Sequence, residues 1–218
     1  MIPTQIQEKK EKYNVLVLAP HTDDGELGCG GTIARLHEEG ATVTYVAFST
    51  ADKSLPSGML PGTLKKEVKI ATKKLGIKNE NLVIYDFEVR KLNYHRQEIL
   101  EKLVTIKKTR KIDLVLMPSL SDIHQDHATV AMEGLRAFKD KSILGYELIW
   151  NNRDFATSCF VRLDERHIQK KVAALAAYRS QTKKDYLAKD FIISLARARG
   201  VQIGYPFAEC FETVRWVI

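Results

Sequence analysis

The chain has 218 residues, of which 44% are hydrophobic and 28% charged, a balance typical of a soluble globular protein of one domain. No apolar run approaches the roughly 20 residues that a transmembrane helix requires, which argues against a membrane span. Residues 1–13 are polar and lack the apolar core of a signal peptide. We therefore expect a single cytoplasmic domain over residues 1–218, with residues 1–13 as an N-terminal extension.

A formal net charge of +7 raises the question of nucleic-acid binding. The basic residues are scattered over several segments, where they alternate with apolar positions as on solvated helix faces. The sequence contains no zinc finger and no aromatic–basic ladder. We therefore expect no nucleic-acid partner, while the positive charge would favour an anionic small-molecule substrate. The cysteines Cys29, Cys159 and Cys210 form no CxxC pair and suggest neither disulfides nor a cysteine zinc site.

Strands and helices are predicted to alternate along most of the chain. Continuous apolar runs indicate strands, and apolar positions at helical spacing indicate helices. In chain order these are the strand NVLVLAP, the helix GTIARLHEEG ended by Gly40, the strand TVTYVAFST, a helix from Thr63 to Leu75, the strand NLVIYDF, the helix RQEILEKLVTIKKT, the strand IDLVLMPS and the helix DHATVAMEGLRAFK.

The pattern changes after a fifth apolar run, SILGYELIW. The segments CFVRLD and ECFETVRWVI predict two more strands, and residues 164–178 and 189–199 predict two more helices. Near-continuous apolar strands separated by helices are typical of parallel sheets that are buried on both faces. The fold class expected is therefore α/β, with a Rossmann-like, mostly parallel sheet covered by helices on both faces.

Acidic residues and a histidine are crowded directly after the first predicted strand. The run HTDDGE contains His21, Asp23, Asp24 and Glu26. Carboxylates repel one another, so placing them beside the end of a buried strand costs free energy unless positive charge lies among them. A divalent metal would supply that charge.

A second cluster, in the run SDIHQDH, follows the fourth predicted strand and contains Asp122, His124, Asp126 and His127. Because ligands bind at the carboxyl ends of the strands in an open parallel sheet, we expect both clusters at one edge. Catalytic zinc takes three protein ligands and leaves one position open. A free carboxylate can then act as general base, and a free histidine can stabilise an oxyanion or protonate a leaving nitrogen. The residue types predict a metal-dependent hydrolytic site and leave the individual roles open.

The motif PHTDDGELGCGG, followed by DIHQDH, resembles the LmbE/PIG-L-like family of zinc-dependent deacetylases. The family's usual signature is Pro-His-Pro-Asp-Asp-Glu, then a Gly-Gly pair and a later His-Pro-Asp-His. The resemblance implies an LmbE-like fold, with His21, Asp24 and His127 as ligands of one Zn²⁺ and Asp23 as the general base. The segments KKLGIKNENLVIYDF and YPFAECFE also resemble family segments, so the likeness spans most of the chain. Other divalent metals suit the same ligands.

The resemblance also assigns roles in the second cluster. His124 falls on the family's oxyanion-stabilising or general-acid histidine, with Asp126 placed to orient it. This sequence departs from the family pattern at Thr22 and at Gln125, each of which stands where proline is usual. It departs again where Gly25 and Glu26 replace a glutamate directly after the second aspartate, which leaves the role of Glu26 open.

The glycine run GCGGT has a second reading as a phosphate-binding loop. The GxGxxG spacing is absent, and an acidic segment separates the run from the strand. Close packing of a helix start against the sheet is therefore the favoured interpretation.

Four further residues are candidate substrate contacts. Arg90 and Arg96 flank the loop after the third strand and could hold a phosphate or carboxylate, or form surface salt bridges. Trp150 and Asn151 follow the fifth apolar run and could face a sugar ring and its hydroxyl groups, although Trp150 could equally belong to the core.

The expected function is therefore zinc-dependent hydrolysis of the N-acetyl group of an N-acetylglucosamine-type conjugate, a linear amide. One alternative is an amidase acting on another sugar or thiol conjugate. An alternative from another class is a non-catalytic nucleotide- or RNA-binding Rossmann-like module, which would leave both acid–histidine clusters unexplained. The aglycone and the oligomeric state, a homo-oligomer included, are left open by the sequence.

Overall fold

A computed structural model describes residues 12–218, so most of the expected N-terminal extension lies outside the described residues. The strands are β1 (Asn14–His21), β2 (Thr42–Ser49), β3 (Leu82–Ile84), β4 (Leu114–Pro118), β5 (Ser142–Tyr146), β6 (Cys159–Leu163) and β7 (Phe207–Arg215). The α-helices are α1 (Asp24–Glu38), α2 (Thr63–Lys74), α3 (Arg96–Thr109), α4 (Gln125–Ala137), α5 (Glu165–Leu175) and α6 (Lys189–Val201). None of the helices described between residues 12 and 218 is long and apolar enough to cross a membrane.

The strands form one sheet in the order β3-β2-β1-β4-β5-β7-β6. The pairs among the first five strands are parallel, whereas β7 runs antiparallel to both β5 and β6. The expectation of an α/β fold with a mostly parallel sheet is therefore confirmed.

Helices cover both faces of the sheet because the strands are apolar on both sides. In β1, Val15 and Val17 pack into the core beneath α1, α2 and α5, while Leu16 and Leu18 pack against α3 and α4 on the opposite face. Side chains alternate between faces along a strand, so a continuous apolar run needs cover on both sides.

The order of the strands brings two loops together. The chain moves outward from β1 to β2 and β3, and then returns to place β4 on the other side of β1. The carboxyl ends of β1 and β4 therefore form a topological switch point, where loops diverge and leave a crevice. The two acid–histidine clusters follow these two strands.

Helix α1 begins earlier than the sequence predicted, at Asp24 rather than at Gly31. The glycine-rich stretch resembles a loop in sequence, but its glycines are required by close packing. A Cβ on Gly28 would lie 2.2 Å from the ring of Tyr146, and one on Gly31 would lie 2.6 Å from Leu163. Helix α1 can therefore approach the sheet only because these positions lack side chains.

A buried ion pair bridges a kink in α1. At Cys29, φ is −143° and ψ is 25°, so the regular helical hydrogen bonding is interrupted there. The carbonyl of Leu27 accepts a hydrogen bond from Lys171 Nζ (2.6 Å). The N–H of Gly31, its partner in a regular helix, donates instead to Glu209 (2.9 Å). Lys171 and Glu209 also contact each other at 2.7 Å, and both are buried. The pair thus satisfies the interrupted backbone and joins α1 to α5 and β7.

Replacing Glu209 tests this bridge. We expect Glu209→Ala to lower the free energy of unfolding by about 3–5 kcal/mol, because the Lys171 ammonium stays buried without its partner. Urea denaturation measures the change. As a control, Glu39→Ala removes an exposed pair with Arg35 (2.7 Å) and should cost less than about 1 kcal/mol. Equal losses in the two variants would contradict the role of the bridge.

Candidate active site

The two clusters meet at the switch point between β1 and β4. His21 is the last residue of β1 and Asp24 the first of α1. His127 lies in the first turn of α4, and the ring nitrogen Nδ1 of His124 caps that helix by accepting a hydrogen bond from the backbone N–H of Asp126 (3.2 Å). Each side chain is thus fixed by the end of a strand or the start of a helix.

Three atoms from these segments form a tight triangle. His21 Nδ1 lies 3.0 Å from Asp24 Oδ2, His127 Nε2 lies 3.2 Å from the same oxygen, and the two nitrogens lie 3.3 Å apart. Zinc holds such atoms at about 2.0–2.1 Å, so neighbouring ligands in a tetrahedral site lie about 3.3 Å apart. The spacing and the chemistry of these donors therefore fit a divalent metal.

His124 belongs to a wider group of possible metal-binding atoms. Its ring lies on that of His127, with centroids 4.5 Å apart and planes 26° apart. One nitrogen from each of His21, His124 and His127 lies within 4.8 Å of the other two. This group of three histidines could hold a metal, although its spacing is looser than that of the triangle.

Two buried carboxylates orient the rings of the triangle. Asp122 Oδ2 lies 2.7 Å from His127 Nδ1, and Asp126 Oδ2 lies 2.9 Å from His21 Nε2. Such carboxylate contacts fix the ring and its tautomer in metal sites. The expectation that Asp126 orients His124 was wrong for its side chain, because that carboxylate faces His21 and only the backbone N–H contacts His124. The sequence did not predict that Asp122 orients the ring of His127.

The charges in the triangle depend on one another. Burial lowers the pKa of His21 and of His127, but the nearby carboxylates outweigh it and raise the two pKa values to about 9 and about 10. Burial alone would raise the pKa of Asp24, yet His127 and His21 hold it well below its usual range. The arrangement therefore requires positive charge beside Asp24, which either protons or a divalent metal can supply.

Asp23 and His124 lie beside the triangle and line the same cavity. Burial raises the pKa of Asp23, and Asp24 raises it further, while Lys184 acts in the opposite direction. Burial lowers the pKa of His124, as do His127 and His21. Because the Nδ1 atom of His124 accepts a backbone hydrogen bond, its neutral ring carries the proton on Nε2.

The cavity has a volume of about 320 Å³, within the range of small-molecule sites. Three of the four predicted substrate contacts line it, namely Arg90, Trp150 and Asn151. The prediction of the fourth, Arg96, as a substrate contact was wrong. Arg96 does not line the cavity and instead forms a salt bridge with Glu133 (2.7 Å), which was the alternative interpretation.

Sequence reasoning missed a wall of the cavity formed by the segment after α5. Tyr186 stacks on Trp150, with ring centroids 4.2 Å apart and planes 12° apart. Lys184 lies over Tyr186, with Nζ 5.4 Å from the ring centroid, and Gln181 also lines the cavity. The sequence left the role of residues 178–181 open, whereas no spacing or motif marks Lys184 or Tyr186, because only the tertiary fold brings their segment to the edge of the sheet.

Arg90 is held in a strained backbone conformation, with φ of 68°. Positive φ is costly for residues other than glycine and persists only where the surroundings enforce it. The carboxylate of Asp126 accepts hydrogen bonds from the N–H groups of Arg90 (2.6 Å) and Leu92 (3.1 Å). Asp126 therefore links two parts of the site, namely the ring of His21 and the loop that contains Arg90.

Comparison with known proteins gives a family and several relatives. Residues 16–138 match the family described as PIG-L, GlcNAc-PI de-N-acetylase. The chain is 30% identical over 131 residues to the diacetylchitobiose deacetylase of Thermococcus kodakarensis, covering 56% of this chain and 48% of that protein. It is 24% identical over 220 residues to the probable N-acetyl-alpha-D-glucosaminyl L-malate deacetylase 2 of Bacillus cereus, covering 93% of this chain and 98% of that protein.

Solved structures confirm the fold. A conserved protein of Thermus thermophilus superposes with a TM-score of 0.78 and 26% identity, covering 94% of this chain and 95% of that one. The 4-carboxy-2-hydroxymuconate hydratase of Pseudomonas putida superposes with a TM-score of 0.77 and 19% identity, covering 94% and 98%. Since one of these proteins is a hydratase, the fold alone does not decide the reaction.

The Asp122 contact predicts an effect on metal binding. We expect Asp122→Asn to weaken the binding of a divalent metal, measured with Zn²⁺ as the probe, by about 10- to 100-fold, because His127 loses the carboxylate that orients its ring. Competition titration with a chromophoric chelator measures the affinity. The matched control is Asp113→Asn, which alters a carboxylate bound to the N–H of Asn14 (2.8 Å) at the opposite end of β1. Wild-type affinity in Asp122→Asn would contradict the role of this contact.

Proposed function

Because the chain belongs to the PIG-L family of GlcNAc-PI de-N-acetylases, we propose that it is a zinc-dependent deacetylase that removes the acetyl group from an N-acetylated amino-sugar conjugate. The observation that carries the proposal is the triangle of His21, Asp24 and His127, with Asp23 and His124 in the same cavity. The two relatives are named as a deacetylase and a probable deacetylase of N-acetylated amino sugars, which supports this substrate class.

One zinc ion per chain would be held by His21 Nδ1, Asp24 Oδ2 and His127 Nε2. This set is preferred to the three histidines because its separations of 3.0, 3.2 and 3.3 Å are closer to tetrahedral spacing. Bound there, zinc supplies a Lewis acid that polarises the acetyl carbonyl and lowers the pKa of water towards about 7. Three protein ligands leave a position for a small molecule, as in catalytic zinc sites.

Asp23 is proposed as the general base. It directly precedes Asp24 and lines the cavity, but its side chain makes no capping hydrogen bond to α1. Its carboxylate can therefore accept the proton of the water that attacks the acetyl carbon.

His124 is proposed as the hydrogen-bond donor to the oxyanion or as the general acid. Its Nδ1 atom is bound to the backbone, so Nε2 is the nitrogen that carries a proton for donation. Donation to the developing oxyanion lowers the barrier, and donation to the sugar nitrogen allows the carbon–nitrogen bond to break. Water and the amide are consumed, and acetate and the free amino sugar are released.

The rest of the substrate would lie between two walls of the cavity. Trp150, stacked on Tyr186, offers an aromatic surface to the sugar ring, and Asn151 offers an amide to its hydroxyl groups. Arg90 and Lys184 both line the cavity as cations. Their charges favour a conjugate that carries a carboxylate or phosphate.

The general base gives the sharpest test of the reaction. We expect Asp23→Asn to lower kcat by about 10²- to 10⁴-fold, because the attacking water loses its proton acceptor. The variant should keep one zinc per chain, since Asp23 is not among the proposed ligands. Acetate release from an N-acetylglucosamine conjugate measures turnover, and plasma mass spectrometry measures the metal.

Two controls make the result specific. Asp86→Asn changes an exposed aspartate outside the cavity and should retain wild-type turnover. A panel that pairs N-acetyl sugars with larger amides separates deacetylation from another amidase activity. Undiminished turnover in Asp23→Asn would contradict the assigned base, whereas preferential cleavage of larger amides would contradict the substrate class.

A further inference from the structure

Three fully buried polar side chains lie beneath the turn that carries the proposed ligands. They are Glu26 in α1, Tyr45 in β2 and Tyr178 after α5, each at most 1% exposed. The reaction proposed above uses none of them. We call these three residues the turn-support cluster.

The turn-support cluster holds the backbone between His21 and Asp23. The carbonyl oxygen of Thr22 lies within hydrogen-bond distance of the hydroxyl oxygens of Tyr178 (2.7 Å) and Tyr45 (3.0 Å). The N–H of Gly25 donates to the hydroxyl oxygen of Tyr45 (3.1 Å). The turn from His21 to Gly25 is thus fixed from below by residues that are distant in sequence.

Glu26 fixes the two tyrosines in turn. Its Oε1 atom lies 3.0 Å from the hydroxyl oxygen of Tyr178, and its Oε2 atom is hydrogen-bonded to the hydroxyl of Tyr45. One carboxyl group therefore spans both hydroxyls and sets their separation. Because all three groups are buried, water cannot replace a lost partner without entering the core.

The absence of a side chain at Gly25 leaves room for Tyr45. A Cβ on residue 25 would lie 2.5 Å from a ring carbon of Tyr45 and 2.7 Å from its hydroxyl oxygen. With glycine there, the hydroxyl reaches the backbone N–H of residue 25. The glutamate one position later points to the same hydroxyl.

We propose that Glu26, Tyr45 and Tyr178 are positioning residues that set the turn bearing His21, Asp23 and Asp24, and so determine how tightly the site holds its metal. The inference rests on the proposed metal site. Loss of the Tyr178 hydroxyl removes the shorter of two contacts to the carbonyl of Thr22, which lies between the first ligand and the general base. Both metal affinity and kcat therefore decrease, while KM is unchanged because the two hydroxyls contact Thr22, Gly25 and Glu26, none of which lines the cavity.

The test compares Tyr178→Phe with the wild type and with Tyr146→Phe. Tyr146 is an equally buried tyrosine whose hydroxyl donates to the carbonyl of Leu18 (2.9 Å), three residues before the turn. Both substitutions keep the ring and remove one buried hydroxyl. Zinc affinity is measured by chelator competition, the midpoint of unfolding by urea denaturation, and kcat and KM by acetate release.

We expect Tyr178→Phe to weaken zinc binding by about 10-fold or more and to lower kcat, as loss of an outer-shell partner does in metal sites. Tyr146→Phe should shift the unfolding midpoint by a similar amount and leave zinc affinity at the wild-type value. Glu26→Gln, which keeps an amide oxygen and nitrogen for the two hydroxyls, should retain more affinity than Glu26→Ala.

The outcomes separate this inference from the function on which it rests. Wild-type zinc affinity in Tyr178→Phe, or equal losses in Tyr178→Phe and Tyr146→Phe, would overturn the positioning role alone. Equal losses in Glu26→Gln and Glu26→Ala would overturn the part assigned to Glu26. A wild-type chain that binds no zinc would overturn the proposed function and this inference together.

Discussion

The buried carboxylate of Asp24 is the interaction on which the rest of the site depends. One of its oxygens contacts the rings of His21 and His127 and accepts a hydrogen bond from the backbone N–H of His21 (2.7 Å). A carboxylate removed from water needs positive charge and hydrogen-bond donors around it. Since His21 ends β1 and His127 follows β4, the adjacency of these two strands is what allows that need to be met.

The surroundings of Asp24 are held by paired polar groups as well as by apolar packing. Asp122 and Asp126 fix the two rings from outside, and Asp126 also holds the strained loop that carries Arg90. Behind the site, the Lys171–Glu209 pair forms hydrogen bonds with the backbone of α1 at its kink. Buried polar networks whose members are satisfied favour one arrangement over its competitors, so these contacts favour a single geometry of the site.

Local signals in the sequence predicted the sheet and the location of the site, because apolar runs and the two acid–histidine clusters lie within short segments. The errors arose where the outcome depended on distant segments. Asp126 is two residues from His124, yet its carboxylate contacts His21, which is 105 positions away. Arg96 follows the third strand as expected, but the side chain of Glu133 draws it away from the cavity. The early start of α1 depends on ring packing against its glycines, and Lys184 enters the cavity only through the tertiary fold.

The proposed chemistry requires a divalent metal held by one carboxylate and two imidazoles, from the end of β1, the start of α1 and the first turn of α4. Anomalous X-ray diffraction at the zinc absorption edge, on crystals grown with Zn²⁺, tests it most directly. We expect one peak per chain, about 2.0–2.2 Å from His21 Nδ1, Asp24 Oδ2 and His127 Nε2. A peak ligated by His124 with Asp24 unbound, or no peak in the cavity after zinc is supplied, would contradict it.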